Sequence, residues 1–162
     1  AACLMRTVTR IDLPIHQGHT TVKLLSTLLG LPLLCCAVMP AAAAGDVSLV
    51  ERDAIVAAST GAALARLKLQ PGALRLVPDQ LRRSGDWAFL IANVRSASGG
   101  RFDYAGTELH EAAQAGAVSD VCAALLRRDG ARWKVIDIAV GPSDVAWENW
   151  AATHQAPAAL FK

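Results

Sequence analysis

The sequence predicts an α+β domain, a curved antiparallel sheet of about four strands with an N-terminal helix, a short middle helix and a C-terminal helix. Three observations predict it. A capped, proline-free, alanine-rich stretch opens the domain at Ser48, an apolar run of strand character follows Ser84-Gly85-Asp86, and two more such runs flank Asp129-Gly130-Ala131. The expected order is helix, two strands, short helix, two strands, helix, with the helices on one face of the sheet.

Ser48 with Glu51 three residues later forms a capping-box pattern, which starts a helix over 49–67. Arg52, Ser59 and Arg66 recur every seven residues and predict a polar stripe; Val50, Ala54, Ala57, Gly61 and Leu64 predict the buried face. Gln70-Pro71-Gly72 ends the helix. Strand residues 74–77 and 79–83 flank Pro78, a residue that fits a bulge or an edge strand. Residues 87–94 are apolar at both alternations, so that strand needs cover on both faces, or on one face and by a partner subunit. Residues 96–101 form a loop and 102–104 a short extended piece. Thr107 caps a brief helix over 108–115, with Gly116 as its stop. Residues 121–128 and 132–140 make a hairpin about Asp129-Gly130-Ala131. Ser143, with Asp144 beside it, caps a last helix reaching His154, on which Trp147, Trp150, Ala151 and His154 share a face.

Ahead of this domain, residues 24–39 carry no charge, follow Lys23 and precede Ala41-Ala42-Ala43-Ala44. A basic start, an apolar middle and an A-x-A site are the pattern of a cleaved export signal. The apolar run is shorter than the roughly 20 residues of a membrane span, and Pro32 and Pro40 interrupt it. No small residue precedes Cys35 or Cys36, which disfavours a lipoprotein. The expected organisation is an upstream leader at 1–21, with translation starting at Val22 as one hypothesis, a signal at 22–44, and one α+β domain at 45–162. Localisation is then periplasmic or secreted, with membrane contact only during export.

The whole chain has a net charge of +2; loss of Arg6, Arg10, Lys23 and Asp12 leaves 13 basic and 13 acidic residues. A neutral domain without a long lysine or arginine run gives no footprint for nucleic acid. Cys122 is the one cysteine of residues 45–162, so no internal disulfide is expected and an inert, buried thiol is. Phosphate loops, zinc motifs and a nucleophile elbow are all missing, so no cofactor and no metal are expected.

Candidate chemistry is sparse. His110 between Glu108 and Glu111 fits a general base, or a solvated helix start. Asp137, placed by alternation on the face of Trp133, Val135 and Ala139, fits an inward acid or base, a carboxylate paired with Arg75 or Arg95, or one in water at the sheet's open end. Asp144 reads as a cap, and the four tryptophans as core or as stacking surfaces. Tyr104 and Trp147, near a loop and a helix start, are the candidate ligand contacts.

Gly85-Asp86-Trp87-Ala88-Phe89, the pairing of Ala124-Leu125-Leu126-Arg127-Arg128 with Trp133-Lys134-Val135, and Gly141-Pro142-Ser143-Asp144-Val145-Ala146-Trp147 together resemble a group of small exported bacterial domains. That group is mostly uncharacterised, and some members carry SH3-like modules. The resemblance spans about 48–161, rests on structural motifs and implies a cell-envelope protein without transferring any catalytic residue. Ser143 stands where threonine is expected, and either can cap. NTF2-like and cystatin-like cones share the build by analogy of fold only.

The leading expectation is a non-enzymatic module that binds a protein or a small molecule. One alternative is a small enzyme with Asp137 and His110 as acid and base in one cavity. The other is an inhibitor or immunity-type protein acting through a protruding loop at 96–106. If residues 22–44 are a signal, N-terminal sequencing of the protein recovered from the cell envelope reads Gly45-Asp46-Val47. A sequence beginning upstream of Val22 contradicts both the cleavage site and the start.

Overall fold

Two glycine turns set the sheet. The computed structural model describes residues 47–162, so the expected leader and export signal lie outside the described residues. Strands β1 (Leu74–Ser84) and β2 (Trp87–Ser96) are joined by Gly85-Asp86, and β3 (Val121–Asp129) and β4 (Arg132–Val140) by Gly130-Ala131. Gly85 (φ +57°) and Gly130 (φ +59°) occupy the left-handed region that two-residue hairpin turns require. The four strands form one antiparallel, curved and unclosed sheet in the order β1-β2-β3-β4. Among the described residues no helix is long and apolar enough to cross a membrane.

Helix α1 (Leu49–Arg66) starts where the capping box places it, with the Ser48 hydroxyl oxygen accepting the Glu51 N–H at 3.2 Å. Of the expected buried face only Leu64 packs on the core. Ile55, Ser59 and Ala63 are fully buried, with Leu67 just beyond the helix, whereas Val50 is 82% exposed and Ala54, Ala57 and Gly61 face solvent. Ser59 tolerates burial because its hydroxyl donates to the Ile55 carbonyl at 2.9 Å, which satisfies the polar atom inside the helix. Ile55 and Leu67 also bring more apolar area to the sheet than the small-residue stripe would. The Glu51 carboxylate meets Arg128 of β3 and, at 3.4 Å, Arg83 of β1, so the first turn is tied to two strands.

Two bulges decide which side chains face α1. In β1, Pro78 stands opposite Ala92 and Gln80 opposite Ile91, which leaves Asp79 unpaired. Leu74, Leu76 and Leu81 therefore reach one cluster although their spacing changes parity. In β4, Leu125 faces Asp137 and Leu126 faces Val135, so Ile136 is the extra residue. Trp133 and Val135 before it, and Ile138 and Val140 after it, all pack on the α1 side. Strict alternation put Asp137 with Trp133 and Val135; the bulge turns it to the other face, where Ala139 remains its neighbour.

The opposite face has its own cover, which corrects the expectation of helices on one side. Phe89, Ala123 and Leu125 pack against Trp150, Ala156 and Leu160 of the C-terminal segment. Phe89 lies 4.7 Å from Phe161, 6.0 Å from Trp147 and 6.2 Å, edge-on, from Trp150 between ring centroids. That segment holds only α3 (Trp150–Thr153) and a 3₁₀ helix (Ala158–Phe161). The longer helix expected from Ser143 does not form; residues 146–149 are turns and Asn149 stands at the cap. Helix α2 (His110–Gln114) is likewise shorter than expected. Thr107 still shapes its entry, its hydroxyl oxygen accepting the Leu109 N–H at 3.2 Å.

Ser59→Ala leaves stability nearly unchanged, because it removes a hydroxyl satisfied within its own helix. Ser59→Leu overpacks the α1–sheet contact and costs about 1–3 kcal/mol in urea unfolding. A neutral Ser59→Leu would mean that Ser59 lies on the polar stripe after all.

Candidate functional site

Beyond β2 the chain closes on itself before it builds a cleft. The Ser96 N–H donates to the Gly100 carbonyl at 3.0 Å and the Gly99 N–H to the Ser96 carbonyl at 2.9 Å, and Arg95 bridges to Arg101. Asp120 lies between two guanidinium groups, 2.9 Å from Arg95 and 3.3 Å from Arg101. Residues 96–101 thus form a short, internally bonded turn, where an inhibitory arm would protrude.

Phe102 and Tyr104 then enter the α1-side core, their rings edge-on at 5.0 Å. The Tyr104 hydroxyl donates to the Ser119 carbonyl at 3.2 Å. Burial, reinforced by the Asp120 charge, pushes this phenol up to about 12. Tyr104 is therefore a neutral structural donor, and its ring walls a cleft of about 480 Å³. Arg101, Asp103, His110 and Gln114 line that cleft above Val118. His110 and Gln114 are four residues apart and share a face of α2. The Asp103 carboxylate accepts the Ala105 N–H at 2.9 Å, which anchors one oxygen. Glu108 is turned away to Arg66 at the end of α1, so the carboxylate-flanked histidine expected from the sequence is not assembled.

Asp137 lies on the other face of the sheet. One carboxylate oxygen accepts from His154 Nε2 at 2.7 Å and the other from the Ile138 N–H at 2.8 Å. The His154 ring stands edge-on to Trp150 at 6.4 Å. The partner is neither Arg75 nor Arg95; Arg95 is committed to Asp120. Asp137 and His110 do not line one cavity, because the sheet separates them. Sequence reasoning missed the Asp137–His154 pair: the spacing put His154 on the Trp150 face, but the bulge that brings Asp137 there has no local signature.

Trp147 packs on Phe89, also across the sheet from Tyr104, so these two candidate contacts do not form one site. Trp87 and Trp133 lie beneath Arg127 and Arg128, at 5.2 Å and 4.9 Å. Asp144 is exposed and caps no helix. Cys122 is fully buried, and burial pushes its thiol up to about 12. Among the described residues no three His, Cys, Asp or Glu side chains form a group that could hold a metal ion. Comparison with protein-family models, curated proteins and solved structures finds no match.

The two raised groups fix an alkaline limit. Cys122 and Tyr104 rise from ordinary values of 9.0 and 10.0 to about 12, so the folded state holds their protons longer than the unfolded chain. Their stabilising contribution is complete below pH 9 and is lost as pH climbs towards 12. Urea midpoints should fall through that window, and fall less steeply in the Cys122→Ala/Tyr104→Phe double variant. Equal slopes in both proteins would contradict the assignment.

Proposed function

We propose that this protein is an exported cell-envelope domain that binds a small polar ligand in the α2 cleft and performs no reaction on it. The carrying observation is the composition of that cleft. Arg101 and Asp103 set opposite charges on one concavity, His110 and Gln114 add hydrogen-bonding groups, and Val118 and the Tyr104 ring supply apolar wall. Such a surface complements a molecule bearing both signs, of which a free amino acid or short peptide is the smallest kind. The export pattern at 22–44 and the likeness to small exported bacterial domains support a periplasmic or secreted location. The separation of His110 from Asp137 weighs against an acid–base enzyme built on that pair. The closed turn at 96–101 weighs against an inhibitory arm.

Thermal melting of the purified protein against the common amino acids and dipeptides tests the reading. A ligand at 100 times its dissociation constant adds about 2.7 kcal/mol, a readily measured rise. His110→Ala and Arg101→Ala should each reduce that rise, while Trp147→Phe should leave it intact. No rise with any of these probes at millimolar concentration would overturn the proposal.

A further inference from the structure

On the face opposite α1, at the hairpin end of the sheet, Arg127 of β3 and Lys134 of β4 stand directly across from each other. Like charges at opposed positions of an antiparallel pair repel and destabilise it. Both side chains belong to exposed residues, and neither makes an ion pair among the described residues. Arg132, exposed and two residues nearer the turn on β4, adds a third cation that makes no ion pair among the described residues. Asp129, opposite Arg132, is the nearby carboxylate, and it too is in no ion pair. The sheet therefore keeps two like charges at opposed positions of an exposed strand pair, where one residue change would remove the opposition.

The same residues form a groove. Arg127, Arg128, Asp129, Lys134 and the exposed bulge residue Ile136 line about 350 Å³, and of these three cations only Arg128 is ion-paired among the described residues, to Glu51. The Arg127 guanidinium lies over the Trp87 ring at 5.2 Å, which restrains a planar fork that can offer two N–H groups to one oxyanion. We propose that this groove is an anion site that takes a phosphate monoester, with Arg127 and Lys134 as its binding cations. A dianion matches two unpaired cations better than a carboxylate does. The exposed Ile136 gives the group that carries the phosphate an apolar contact. The site lies across the sheet from the α2 cleft and shares no residue with it, so the two stand or fall separately.

The purified protein, ¹⁵N-labelled, is titrated with inorganic phosphate and with glycerol 3-phosphate at constant ionic strength, with chloride as control. Saturable shifts of amides 127–136 are expected with both phosphates and not with chloride. The Arg127→Gln/Lys134→Gln double variant should lose them, whereas Arg101→Ala should keep them. Without phosphate, Lys134→Gln should melt at or above the parent temperature, since it relieves the repulsion. Shifts that match chloride, or that survive in the double variant, would overturn the site, as would a clear fall in the melting temperature of Lys134→Gln. Co-sedimentation with phosphatidylcholine vesicles containing phosphatidic acid separates the sources. Charge-dependent retention that the double variant loses supports a lipid headgroup; shifts with glycerol 3-phosphate without retention support a soluble ester.

Discussion

The two central strands lack a polar face, and most of the structure answers to that. From Ala88 to Leu90 on β2 and from Cys122 to Leu126 on β3 every side chain is buried. Alternation sends half of these to each side, so water must be excluded from both surfaces of the sheet's middle. Helix α1 covers Ala88, Leu90, Cys122, Ala124 and Leu126; the C-terminal segment covers Phe89, Ala123 and Leu125. Burial of a large apolar side chain stabilises by about 1.5–3 kcal/mol, so removing either cover would expose several such side chains at once. The tryptophans and Leu160 of a segment with little regular helix are thus as integral to the core as α1.

The same constraint sorts the polar chemistry. With the middles of the central strands committed to packing, charged groups fall to the ends of those strands, the edge strands, the turns and the helices. Asp137 and Lys134 lie on β4, Arg127 reaches solvent near a turn, and Arg101, Asp103 and His110 gather beyond the end of β2. Both edge strands also carry a bulge, one at Pro78–Gln80 and one at Ile136. Bulges, a proline and a lysine are features that discourage pairing with further chains. The Ile136 bulge serves a second purpose, since it lets Trp133 and Val135 share a cluster with Ile138 and Val140 and sends Asp137 to His154.

What could be read from the sequence was what short-range chemistry dictates. The Ser48 cap, both glycine hairpins, the Pro78 irregularity and the two-faced apolar strand depend on a few adjacent residues, and each is in the structure. Cys122 was legible for the same reason, an apolar residue type inside an apolar run. The errors fall where packing decides. The buried side of α1 depends on which apolar residues meet the sheet, and Ser59 could join it only because Ile55 accepts its hydroxyl. The face of Asp137 depends on one extra residue in a strand pair, which shifts parity without a glycine or proline to announce it. The final helix is short, and Trp147, Trp150 and Leu160 instead gather in one cluster with Phe89 and Leu125, a long-range contact that helical spacing does not announce. Of the candidate site, His110 and Tyr104 were named from the sequence and do line one cleft. Arg101, Asp103 and Gln114 could not be named with them, because the closed turn and α2 bring them there.

Native-state hydrogen exchange in Leu160→Ala tests most directly whether the two covers form one cooperative unit. Leu160 is almost fully buried against the sheet face opposite α1. A cooperative unit predicts that the slowest amides of α1, β2 and β3 lose protection together, all by the same amount, about 2–5 kcal/mol. Loss confined to residues 141–162, with α1 and the central strands as protected as in the parent, would show that the C-terminal segment is an independent cover and that the sheet holds without it.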